Sequence, residues 1–271
     1  MNHPLFLNTV LLGGSTADKI AAAGSAGFDQ VELWRQDLDT HPGGAPGVLR
    51  ALGQARLGLT DFQVLLDFDG APGGRRTAKR QEALQMLDLA VQLNATTLLA
   101  PASTDPHCDA ARIVEDLAWL ARQAAARGLR IAYEAMAWST VNHTTPAAWR
   151  CVQAASQPNL GMVIDAFHLF ATGRDASDLD GIPMQRIYLV QLSDLASDVS
   201  SEKVKAVARH GRLLPGDGHF PLASLLQRLA AGGYAGPIGL EVFNDELQAR
   251  DPAEVAQEAM AALRRVCTLQ N

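Results

Sequence analysis

Glu134 in RIAYEAMAW, Asp165 in LGMVIDAFH, Gln191 in IYLVQLSD and Glu241 in PIGLEVFND each close a run of aliphatic and β-branched residues. Runs of that kind are buried strands, and an oxygen donor at a buried end is costly unless something satisfies it. A hard divalent cation would satisfy all four together, because such ions take carboxylate and amide oxygens. The set predicts one site for Mn2+, Mg2+ or Co2+, with positions left open for substrate. It contains no cysteine and no histidine, which argues against a structural zinc site.

His168 follows Asp165 in the sequence Asp-Ala-Phe-His. On a helical turn leaving the strand, positions i and i+3 share a face. The imidazole is therefore a candidate general acid or base beside the metal, with a pKa suited to that work. After the seventh run, RHGRLLPGDG brings Arg209 and Arg212 ahead of a Pro215-Gly216 turn. A long loop there offers both arginines to an anionic substrate. Glu32 and Trp34 end the second run, Gln63 ends the third, and His143 lies in the loop after the fifth. These four are candidates for substrate contact, Trp34 as an apolar wall.

The elements that must position these residues alternate along the chain. Strand-like runs fall at 5–11, 29–34, 58–66, 95–100, 129–135, 160–165, 187–192 and 237–243. Helical patterns fall at 16–26, 46–56, 76–92, 109–127, 145–156, 176–182, 220–231 and 252–268. Ser15 with Asp18, and Asp251 before Pro252, are helix-start signals, while Gly27, Gly128 and Gly232 are stop signals. GAPGG, from Gly70 to Gly74, reads as a loop. Repeated βα units without a composition break predict an α/β fold, a single (β/α)8 TIM barrel spanning 1–271 as one domain. An open doubly wound sheet would carry a Gly-rich phosphate loop after its first strand, and LLGGSTADK does not fit one. In a barrel, all four oxygen donors lie at the C-terminal strand ends, where active sites of this fold sit.

Composition narrows the function classes. Of 271 residues, 48% are hydrophobic, enough for a large core, and the net charge of -6 argues against a sequence-independent nucleic-acid binder. The odd, scattered Cys108, Cys151 and Cys267 build no disulfide framework. The first residues lack the pattern of a signal peptide, and no apolar stretch is long enough to span a membrane. The expected location is cytoplasmic.

GFDQVELWRQDL, DFQVLLDFDG, RGLRIAYEAMAW, DAFH, VQLSD, RHGRLLPGDG and GLEVFND together make the chain resemble the xylose isomerase-like TIM barrel superfamily. That group includes sugar isomerases, epimerases and endonuclease IV. Within it, the likeness is to the bacterial 3-dehydroshikimate dehydratase family, and it spans nearly the whole chain. Gln191 is telling, since most relatives carry histidine at that seventh-strand position. The resemblance implies that Glu134, Asp165, Gln191 and Glu241 hold the metal and that His168 has an acid/base role. Three positions depart from the family pattern. Leu66 stands where an arginine usually precedes Asp-Phe, Thr140 lies where a basic residue is common, and His143 stands where asparagine is common.

The implied chemistry is removal of a proton next to a carbonyl, with the metal as Lewis acid. Loss of a β-hydroxyl makes this a dehydratase, a lyase taking dehydroshikimate to protocatechuate. Reprotonation elsewhere makes it a sugar or sugar-phosphate isomerase or epimerase, with Glu134 and Glu241 as ligands and acid/base groups on opposite sides. The expected partner is a small hydroxy-keto acid or sugar, and a homodimer is the assembly the class suggests. Endonuclease chemistry on this barrel needs many histidines in close array, and the seven here are scattered.

Overall fold

A ring of parallel pairs closes β1 (Leu5–Asn8), β2 (Gln30–Trp34), β3 (Gly58–Gln63), β4 (Thr97–Pro101), β5 (Arg130–Glu134), β6 (Leu160–Asp165), β7 (Ile187–Leu192) and β8 (Ile238–Leu240) into a barrel. This computed structural model describes residues 3–268. Closure comes from β1 against β8, with Leu5 opposite Ile238 and Leu7 opposite Leu240. Outside the ring run α1 (Thr16–Ala26), α2 (Arg35–Thr40), α3 (Gly44–Ala55), α4 (Gly73–Gln92), α5 (Ile113–Ala125), α6 (Thr145–Ala155), α7 (Ala166–Phe170), α8 (Val204–His210), α9 (Leu222–Ala231), α10 (Asp245–Gln248) and α11 (Pro252–Thr268).

Local chemistry explains the boundaries. Ser15 and Asp18 form a capping box at the start of α1, and Gly27 closes that helix in the left-handed region at φ 86°. Asp251 Oδ1 accepts the N–H groups of Ala253 and Glu254 at the start of α11. Other boundaries depart from the expected ranges. The first strand stops at Asn8 and not at residue 11, because the Asn8 side chain accepts the Val10 N–H and turns the chain into a 3-10 helix. The third stops at Gln63, and the eighth at Leu240. The run at 176–182 is no α-helix but a 3-10 turn over Ala176–Leu179, and the short α7 shares that crossover. The glycine-rich loop ends at Pro72, so α4 begins earlier than expected, at Gly73.

Two apolar clusters fill the molecule. The larger joins helices to the outer strand faces. The smaller contains Phe6, Leu99, Ala132, Val163, Tyr188 and Leu189. Side chains alternate along a strand, so residues two apart share a face. Phe6 thus lies below Asn8, Ala132 below Glu134, Val163 below Asp165 and Leu189 below Gln191. This plug closes the barrel floor beneath the polar layer. Gly239 makes room for it, since a Cβ at that position would collide with the Phe6 ring.

Candidate active site

The polar layer is the floor of a cavity of about 390 Å³ at the C-terminal ends of the strands. Glu134, His168, Arg212 and Glu241 line its base. Trp34, Val64, Leu66, Met136, Trp138 and Phe243 make its wall mostly apolar. Arg209, His210 and Asp245 stand on its α8–α10 side.

The four predicted oxygen donors are all buried, and their surroundings differ. Glu134 Oε1 and Gln191 Oε1 have no hydrogen-bond partner among the described residues. Asp165 caps α7, its Oδ1 accepting the Phe167 N–H at 2.8 Å, while its Oδ2 accepts Arg212 Nη1 at 2.7 Å. Glu241 Oε1 accepts Asn8 Nδ2 at 3.0 Å and Gln191 Nε2 at 3.4 Å, and its Oε2 lies 3.3 Å from Arg212 Nη1. Ligand atoms of Glu134, Asp165 and His168 all lie within 4.8 Å of one another. Glu241 is not in that close group, but the donors are hard and Glu134 Oε1 is unmatched, so the residues fit a divalent cation.

Electrostatics agree. Burial, and then the nearby Glu241 and Asp165, push the Glu134 carboxyl well above its ordinary range. Burial pushes Glu241 up to about 8, against the opposing pull of Arg212. Crowded acids of this kind are what a bound cation would relieve. Burial also drives His168 down to about 4, so its ring is neutral near pH 7. Its Nδ1 accepts the Ala137 N–H at 3.2 Å. The ring proton must then sit on Nε2, which lies 3.6 Å from Asp165 Oδ2 and 3.8 Å from Glu134 Oε1. Trp138 packs edge-on against the ring at 4.9 Å and holds it there.

The substrate candidates divide. Trp34, Gln63 and Arg209 line the cavity. Gln63 Nε2 is buried without a partner, and Arg209 has no ion pair among the described residues. The other three have different surroundings. Arg212 is 2% exposed and committed to Asp165, Glu241 and the Ala208 carbonyl, with Phe167 and Phe243 rings against its guanidinium. It braces the acids at the base of the cavity. Glu32 is fully buried below the cavity, its carboxylate accepting from Asn8 and Gln191. His143 is exposed and outside the cavity lining, while its neighbour Asn142 turns inward to Tyr133.

Sequence reasoning missed Asn8 and Asp61, both fully buried. Asn8 carries the same signal as the four donors, a polar residue ending an apolar run, but the apolar pattern continues past it to residue 11. Leu66, one of the positions that depart from the family pattern, lies 41% exposed on the cavity wall.

Residues 20–266 match the xylose isomerase-like TIM barrel family. The chain is 36% identical over 260 residues to a Pseudomonas aeruginosa protein named 3-dehydroshikimate dehydratase, covering 94% of this chain and 40% of that one. A solved structure of a xylose isomerase-like TIM barrel/4-hydroxyphenylpyruvate dioxygenase fusion protein superposes with TM-score 0.94 at 30% identity, over 100% of this chain and 44% of the other. The IOLI protein, solved with a zinc atom bound, superposes with TM-score 0.86 at 19% identity over 99% of both chains, a likeness of fold. This chain spans about 40% of the length of the Pseudomonas relative. The chain belongs to the xylose isomerase-like TIM barrel family. Among the described residues, no helix is long and apolar enough to cross a membrane.

Proposed function

We propose that this barrel is a divalent-metal-dependent lyase that dehydrates 3-dehydroshikimate or a closely related β-hydroxy ketone acid. The observation that supports it most is that Glu134 Oε1, at the cavity floor, and Gln191 Oε1 are both buried without a hydrogen-bond partner. Glu134, Asp165, Gln191 and Glu241 would hold Mn2+, Mg2+ or Co2+. When bound, the ion would polarise the substrate carbonyl and lower the cost of the enolate that follows deprotonation. The name of the Pseudomonas relative supports the substrate class.

The chain's own residues divide the remaining work. Glu134 takes the proton beside the carbonyl through the carboxylate oxygen that does not hold the cation. The C–H pair becomes the new double bond, the β-hydroxyl leaves, and the proton joins it as water. The Nε2–H of His168 hydrogen-bonds the departing hydroxyl, since its Nδ1 accepts the Ala137 N–H. Arg209 anchors the substrate carboxylate, because Arg212 is spent on the acids and His210 is paired with Asp245 at 3.1 Å. Trp34, Trp138 and Leu66 exclude water from the ring face.

A direct assay tests this. Purified protein given 3-dehydroshikimate should raise near-UV absorbance as a catechol acid forms, and EDTA should abolish the rise until Mn2+ is restored. Arg209→Ala should raise KM about tenfold or more, the scale of a lost charge-assisted contact. Turnover of a ketose or inosose without turnover of dehydroshikimate would move the assignment to an isomerase or epimerase.

A further inference from the structure

The polar layer contains a chain of amides whose direction is dictated from one end. The Trp34 indole N–H can only donate, and it donates to Asn8 Oδ1 at 3.0 Å, as does the Val10 N–H at 3.1 Å. The Asn8 amide must therefore point its NH2 group the other way, toward Glu32 Oε2 and Glu241 Oε1, each at 3.0 Å. Glu32 then receives Gln191 as well, with Nε2 at 3.0 and 3.1 Å from its two oxygens. Donors from two amides thus converge on one fully buried carboxylate.

We propose that Glu32 is a positioning residue that sets the direction of the Gln191 amide, so that β7 offers the cavity an oxygen and not an NH2 group. The inference rests on the reading that the four donors hold a cation. A glutamine is ambiguous at such a place, since its two ends have nearly the same shape and opposite polarity. Turned over, Gln191 would press its oxygen on the Glu32 carboxylate and aim N–H groups at the cation. With an ionised Glu32 beneath it, only the productive direction is satisfied, and Oε1 is left buried and without a partner. Groups behind metal ligands commonly act this way, orienting the ligand and tuning its affinity. Glu32 does not line the cavity, so its effect travels through the amides it holds, Gln191 and Asn8, and the mutant cycle isolates the Gln191 share.

The test is a mutant cycle read by Mn2+ binding, by calorimetry and without substrate. Glu32→Gln keeps the size but supplies both a donor and an acceptor, so it no longer selects a direction. It should weaken Mn2+ binding about 10–100-fold. In a Gln191→Ala background the same change should weaken the remaining binding by less than about threefold, because no amide is left to turn over. An equal loss in both backgrounds would make Glu32 a general structural residue and overturn the proposal, as would unchanged affinity in Glu32→Gln. If Glu32→Gln folds poorly by circular dichroism, the exchange Glu32→Gln with Gln191→Glu restores a donor facing an acid. That protein should bind Mn2+ within about threefold of the original. A folded exchange variant without Mn2+ binding would also overturn the proposal. Failure of the unmodified chain to bind Mn2+ refutes the four-donor reading, and with it this one, whereas failure to turn over dehydroshikimate touches only the substrate.

Discussion

Asp69, in the loop after β3, and Glu134, at the end of β5, are both buried acids near the same end of the barrel. Asp69 is fully met. Its Oδ1 accepts the Ser103 N–H at 2.8 Å, and its Oδ2 accepts the Tyr133 O–H at 2.7 Å. Asn142 Nδ2 in turn donates to the Tyr133 oxygen at 2.8 Å. Glu134 has crowding acids beside it and no donor at Oε1. Burial raises both pKa values, so a raised pKa does not distinguish a site from a strut. At these two acids what differs is the supply of hydrogen-bond donors.

The comparison can be broken most sharply at Glu134. Glu134→Ala, and likewise Glu241→Ala, should abolish metal binding and turnover together, and full metal occupancy by elemental analysis of either variant would refute the assigned ligands. The next largest effect is expected at the neighbouring ring. His168→Ala should keep the metal and lose turnover about 10²-fold or more, as groups that handle protons or steer leaving groups typically do. A near-normal kcat would remove His168 from the mechanism. The same loss in His168→Phe, which keeps a ring but lacks the N–H, would tie the effect to the donor.

The smallest effect belongs to the strut. Burial raises Asp69 to about 6, against the opposing pull of its Tyr133 and Ser103 donors. Between about pH 4 and 6, folded Asp69 keeps a proton that the unfolded chain has released. Its contribution to stability is therefore complete below about pH 4 and is lost as pH rises through about 6. The change is on the order of 2–3 kcal/mol. Asp69→Asn should flatten that part of the profile without touching metal affinity. An unchanged difference between melting temperatures at pH 4 and pH 7 would show that Asp69 does not titrate there.

Much of this arrangement was legible before folding. Glu134, Asp165 and Gln191 end apolar runs, and period-two alternation places them above Ala132, Val163 and Leu189, so one layer of donors follows from pattern alone. Arg212 was not legible. Arg209 and Arg212 look equivalent in RHGRLLPGDG, but Arg212 turns under the loop to the Glu241 carbonyl, while Arg209 stays on the rim. His143 and Asn142 are adjacent, and only the turn after β5, where the Ser139 hydroxyl accepts the Asn142 N–H, decides which one faces inward. Glu32 resembles a strand-end ligand, and its role as a support depends on Gln191 lying across the barrel from it, 159 residues away.

Residue order by itself determined the kind of barrel, the end at which its polar layer lies and the hard character of the donors, because periodicity and side-chain chemistry are local properties. Only the closed barrel decided which polar groups meet partners and which remain unmet. Hydrogen-bond saturation depends on distances between strands far apart in the chain, and no local pattern encodes those distances.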